Sequence, residues 1–271
     1  MKDIQSRHDS RRINIRKVGV KSLSYPIIVL DRASATQQTL ARVNMYVDLP
    51  HRFKGTHMSR FVEILNRFHG QFNIRTCHLI LEEMKRRLEA ESAHLELAFP
   101  FFLAAGAAEQ EPGMARYDCR LHGTLARTFD LVVEVDVPVP LADRPGPEHV
   151  PAPAGMWGSV TASVRMKRFL WIEDLIALIR QETSPQAARA ETVEFLCRRI
   201  DDVLRATGSF HWYKVVVKNI GSGYSTFASS EWPEPAPDRT AGREGVWRSG
   251  GASEAAGPFM SNNPPRTDCN E

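Results

Sequence analysis

The chain has 271 residues, 42% hydrophobic and 25% charged, and its 35 Lys and Arg against 32 Asp and Glu leave a formal charge of +3. That is the composition of an ordinary globular protein, long enough to bury a substantial core, and the even charge gives no electrostatic ground for a nucleic-acid partner. No apolar run reaches the roughly 18 residues a membrane helix requires, and the chain opens with charges instead of an apolar signal core, so a cytoplasmic protein without membrane contact is expected.

Residues 1–17 are charged and poor in apolar side chains, and read as an arm. The apolar run Tyr25–Leu30 predicts a strand. So does the alternation of Ala41, Val43, Met45, Val47 and Leu49 with Arg42, Asn44, Tyr46 and Asp48, and the polar stretch 31–38 joins the two as a hairpin. Phe61, Leu65 and Phe68 then recur at helical spacing, as do Cys77, Leu81, Met84 and Leu88, with Thr76 placed to cap the second helix. Ala93, Leu95, Leu97, Phe99 and Phe101 return to strand alternation, with His94 and Glu96 on the opposite face.

The order then repeats. Strands are predicted around Tyr117–His122, Leu131–Val139 and Val160–Lys167. Ile172, Leu175, Ile176 and Ile179 mark one helix, Val193, Leu196, Ile200 and Val203 another, and a closing strand spans Trp212–Lys218. The chain therefore divides into an arm (1–17), two successive α+β units (18–105 and 113–230) and a tail rich in Pro, Gly and Ala (231–271). Sheets with helices on one face leave open edges, which several subunits can remedy by closing their sheets into a barrel, so an oligomer is expected, with a monomeric two-layer sandwich as the alternative.

Individual residues carry less chemistry than this pattern suggests. Cys77, Cys119, Cys197 and Cys269 are far apart and form no C-x-x-C pair, so buried, reduced thiols are expected. His94, His122 and His211 fall in strand-like segments as sheet residues. No phosphate-binding loop, dinucleotide fingerprint or nucleophile elbow is present.

The segment Val18–Leu65, above all Lys54-Gly55-Thr56-His57-Met58-Ser59-Arg60-Phe61, resembles the GTP cyclohydrolase IB family. Similarity continues through Glu91-Ser92-Ala93-His94, Phe99-Pro100-Phe101-Phe102 and Trp171-Ile172-Glu173-Asp174-Leu175, and covers most of residues 3–228. The resemblance implies a bimodular tunnelling fold (T-fold) whose antiparallel sheets close into a barrel in a homotetramer, with active sites between subunits. It implies conversion of GTP and water into 7,8-dihydroneopterin triphosphate and formate, toward folate or queuosine-type products. It also implies a divalent metal, Zn, Mn or Fe, which makes water a nucleophile near neutral pH.

Glu194, in Thr192-Val193-Glu194-Phe195, falls where the family has the glutamate that holds the guanine edge, and a carboxylate suits two adjacent N–H donors. Lys54, Thr56, His57, Ser59 and Arg60 sit where a loop enters a helix and suit phosphate oxygens. The competing role for Glu194 is a solvated or structurally paired helix glutamate, and for the second set it is interface packing and helix capping.

The metal ligands do not carry over. The family's C-P-C-S-K-E-type loop, with its catalytic cysteine, falls near Asp143, where residues 140–148 hold no thiol. Its A-H-N-Q-R element falls on residues 151–157, which lack histidine. Its R-P-D-E-K stretch is missing between Thr183 and Ala190, and its S-I-H-x-H element falls near residues 220–224, again without histidine. Asp143, Glu148 and His149 share one loop and are the candidates for a replacement site. Three functions are open at this point: a cyclohydrolase with a rebuilt metal site, a non-catalytic relative that binds a purine or pterin nucleotide, or an oligomeric scaffold.

Overall fold

The computed structural model describes residues 17–49, 58–68, 70–104, 113–140, 156–183, 192–219 and 224–233. All of them belong to one unit, Met1–Pro235, while a second unit, Ala236–Glu271, lies wholly outside the described residues.

The first hairpin pairs β1 (Lys17–Asp31) with β2 (Ala35–Asp48). Its strands run further than apolar alternation predicts, because the turn needs only Arg32, Ala33 and Ser34. The Asp31 carboxylate accepts from the Ala33 and Ser34 amides at 2.8 and 2.7 Å. The polar residues after it are strand as well: Gln37 clamps the Phe102 backbone, donating to its carbonyl and accepting from its amide, both at 2.8 Å.

Helix α1 (Met58–Arg67) buries Phe61, Ile64 and Leu65. A two-residue strand, β3 (Gln71–Phe72), pairs in parallel with Ile28 and Val29 of β1. Helix α2 (Ile74–Arg87) starts a turn earlier than the expected Thr76 cap. Asn73 is the cap: its side chain accepts from the Thr76 amide at 2.9 Å, and the Thr76 hydroxyl accepts from the Asn73 amide at 2.8 Å. Thr76 thus fills the third helical position of a reciprocal capping box.

Strands β4 (Ser92–Ala104), β5 (Met114–Leu125), β6 (Phe129–Pro140) and β7 (Met156–Met166) follow, then α3 (Ile172–Thr183), α4 (Val193–Thr207), β8 (Phe210–Asn219) and β9 (Phe227–Trp232). One nine-stranded sheet results, in the order β3-β1-β2-β4-β5-β6-β7-β8-β9, antiparallel except at β1–β3. Strand β9 carries little apolar content on Ala228-Ser229-Ser230-Glu231, and it forms because β8 supplies a ladder partner from Tyr213 to Lys218.

The period of two divides the sheet. Val43, Met45, Val47, Leu95, Leu97, Val135, Val137, Val160, Ala162, Val215 and Val217 are all at most 1% exposed on one face. Helix α2 packs on that face at β4 and β5, α3 at β6, and α4 at β8 and β9, while α1 covers α2 and β1. Each fully buried Val, Leu, Ile or Phe there contributes about 1.5–3 kcal/mol of burial free energy. The opposite face carries no helix among the described residues and is polar, with Asn44, Tyr46, His94, Glu96, Arg120 and Glu134 along it.

Candidate functional site

Glu194 lies in the first turn of α4 and is exposed. Its carboxyl is held below the usual range by the Thr192 hydroxyl and then by its own backbone amide. Thr192 is the N-cap, its oxygen accepting from the Phe195 amide at 3.3 Å. The residue is therefore an ionised acceptor on a helix N-terminus. Ser59 and Arg60 lie exposed in the first turn of α1. Lys54, Thr56 and His57 fall outside the described residues, as do Asp143, Glu148 and His149.

Glu194 and the pair Ser59 and Arg60 stand on helices with different packing partners. Helix α1 packs against α2 and β1, whereas α4 packs against α3, β8 and β9. Purine and phosphate groups held by both sets would bridge elements from opposite ends of the sheet order.

Sequence periodicity gave no sign of a polar cluster at the ends of β2 and β4. His94 Nε2 lies 3.0 Å from Asp48 Oδ2 and 3.2 Å from Ser92 Oγ, while Nδ1 lies 3.1 Å from Thr124 Oγ1. Ser92 also donates to Asp48. The imidazole stacks on Tyr46 at 4.6 Å between centroids, and Lys17 Nζ sits 5.0 Å from the centroid of that phenol ring. Tyr46 in turn donates to Glu96 at 2.8 Å. The signal available beforehand was the Glu91-Ser92-Ala93-His94 match, which gives no partner for the histidine.

Burial works to raise the Asp48 carboxyl, but hydrogen bonds from Ser92 and His94 and the charges of His94 and Lys17 outweigh it and hold Asp48 below its usual range. A depressed carboxyl stabilises the fold above its unfolded value, about pH 4, and that contribution is lost as pH falls through the folded value. The stability gap between the wild type and Asp48→Asn, measured by urea unfolding, is therefore expected to be widest at pH 7 and to close toward pH 3. A gap of constant size across that range would remove Asp48 from the pH response.

Comparison with known proteins decides the family. A family model described as type I GTP cyclohydrolase folE2 matches residues 1–190. The chain belongs to this family. It is 39% identical over 264 residues to the GTP cyclohydrolase FolE2 of Syntrophotalea carbinolica, covering 88% of this chain and 99% of that protein. With the GTP cyclohydrolase FolE2 of Syntrophus aciditrophicus it shares 41% identity over 242 residues, covering 82% and 95%. Among solved structures, the uricase from Arthrobacter globiformis superposes with a TM-score of 0.53 over 83% of this chain and 96% of that one, at 8% identity. A urate oxidase mutant of Bacillus sp. TB-90 gives 0.54 over 80% and 99%, also at 8% identity. These likenesses show the shared α+β tunnelling fold.

The GTP cyclohydrolase family implies a divalent metal, and the described residues do not fit one. No group of three or more His, Cys, Asp or Glu among them is placed to hold a metal ion. Cys77, Cys119 and Cys197 are buried in the core, and burial pushes the Cys77 thiol up to about 12 and the Cys197 thiol up to about 11, the wrong direction for a thiolate ligand. His94 and Asp48 supply two ligand atoms, but both are engaged with each other and with Ser92 and Thr124.

Proposed function

We propose that this chain is a nucleotide-binding member of the GTP cyclohydrolase family that keeps the fold and the purine-recognition glutamate and has lost the metal-dependent ring opening. The observation that carries the reading is Glu194, ionised and exposed at the start of α4. A carboxylate held there presents two acceptor oxygens to the paired N–H donors of a guanine or pterin ring. Lys54, Thr56, His57, Ser59 and Arg60 are the proposed triphosphate contacts, cationic and hydroxyl groups at the entrance to α1.

Since α1 and α4 pack against different elements, the nucleotide would lie between subunits, its ring on one chain and its phosphates on another. That arrangement calls for the oligomer expected of the family, a homotetramer in which the open sheet edges at β3 and β9 are closed into a barrel. We read residues 18–105 and 113–230 as its two pseudo-repeated units, with 1–17 and 231–271 as arm and tail. The buried free thiols of Cys77, Cys119 and Cys197 among the described residues suit a cytoplasmic location.

In the family, the metal activates the water that attacks the purine. On this reading the cysteine, the two histidine elements and the acidic stretch that correspond to the family's ligands are gone from this chain, and the metal-dependent attack is lost with them. A second reading, a working cyclohydrolase that feeds folate or queuosine-type synthesis, is favoured by identity of 39% across nearly the whole length of a protein named GTP cyclohydrolase. It requires Asp143, Glu148 and His149, or residues supplied by another subunit, to hold Zn, Mn or Fe. Calorimetric titration of the full chain with GTP and with dihydroneopterin triphosphate tests the proposal: saturable heat with either ligand supports it, and flat traces with both would leave only a scaffold.

A further inference from the structure

On the helix-free face, one cross-strand row runs Ser24, Arg42, Ala98, Arg120 and Glu134 through β1, β2, β4, β5 and β6. Ala98 is short, so the row dips between two arginines into a cleft of about 370 Å³ that Arg116 and Asp118 also line. That volume is at the small end of the range for ligand pockets, about 300–1,000 Å³.

Two of its arginines are fixed by neighbouring carboxylates. Arg120 pairs with Glu134, whose other oxygen accepts from Ser163 at 2.8 Å. Arg116 donates to Asp118 Oδ1 from Nε and Nη2 at 3.1 and 2.9 Å. Arg42 is exposed and has no hydrogen-bond or ion-pair partner among the described residues. Asp136 lies directly across from Asp118. Burial pushes its carboxyl up, against the pull of Arg120, which weakens the negative charge beside the cleft.

We propose that this cleft is an anion site for a small phosphate-bearing molecule, separate from the nucleotide contacts on α1 and α4. Arg42 is the guanidinium free to fork onto phosphate oxygens, while Arg116 and Arg120 arrive already oriented. The cleft matches the size of a short polyphosphate group.

The test uses the full chain carrying Lys54→Ala, Thr56→Ala, His57→Ala, Ser59→Ala and Arg60→Ala, which removes the five proposed nucleotide phosphate contacts, and titrates it with inorganic tripolyphosphate. Binding is expected to persist in that background and to weaken as salt is raised. Adding Arg42→Glu is expected to lower the affinity about tenfold or more, at an unchanged melting temperature, because Arg42 gives up no partner among the described residues. Absence of binding in the background, or binding indifferent to Arg42→Glu, overturns the inference. Neither result bears on whether GTP is held through Glu194.

Discussion

Replacing Glu194 with alanine is expected to weaken GTP binding about tenfold or more, the loss that follows when a charged acceptor is withdrawn from two donors. The fold should not register the change, because the side chain is exposed and Thr192 still caps α4 through the Phe195 amide. Glu194→Gln, which keeps one carbonyl acceptor and turns the other into an NH2 donor, is expected to fall between the two. Calorimetry on the three proteins decides the role: a Kd that stays the same in Glu194→Ala would make the residue part of the helix cap and nothing more.

The largest stability effect is expected at Asp201, 7% exposed at the centre of a hub that ties α4 to β8 and β9. Its carboxylate accepts from Tyr213 Oη at 3.0 Å, Ser230 Oγ at 2.6 Å and Arg205 Nη2 at 2.9 Å. Tyr213 is fully buried, and burial followed by the Asp201 bond pushes its phenol up to about 12. Asp201→Ala removes the acceptor shared by Tyr213, Ser230 and Arg205 and leaves the Tyr213 hydroxyl only the backbone carbonyl of residue 201, at 3.1 Å, at a cost of about 3 kcal/mol. Tyr213→Phe removes a single donor and should cost about 1 kcal/mol. Urea unfolding of both variants measures the difference. Equal, small losses would show that packing of β9, and not this hub, holds the end of the sheet.

Periodicity located every long element because its burial is local in sequence: Val43, Met45 and Val47 alternate on one core face, and Cys77, Leu81 and Met84 repeat on one helix face. Elements that depend on distant partners escaped it. Strand β9 exists through its ladder with β8, and the extended start of β1 through pairing of Lys17–Val20 with Met45–Asp48. A local competition misplaced the cap of α2, where Asn73 and Thr76 both offer capping side chains and their reciprocal bonds decide the boundary.

The candidate site was legible only in part, for the same reason. Glu194 and Arg60 are visible as residues suited to a purine edge and a phosphate, but their placement on helices that pack on different elements comes from the topology. The His94 cluster joins β2, β4 and β5, and the Arg42 cleft joins β1, β2, β4 and β5. Each depends on strand register, which sequence spacing does not encode across a break of dozens of residues. What the sequence does state without any fold is that residues 140–148 hold no thiol, which is true in every conformation.

That absence is tested most directly by incubating the purified full chain with GTP and Mn, Zn or Fe(II) in turn and following the fluorescence of oxidised neopterin. Without a bound metal, the attacking water keeps a pKa near 15.7 instead of about 7, and no neopterin is expected from protein that is folded and binds GTP. Metal-dependent product would contradict the account and place the catalytic ion on the loop carrying Asp143, Glu148 and His149 or on a residue supplied by another subunit.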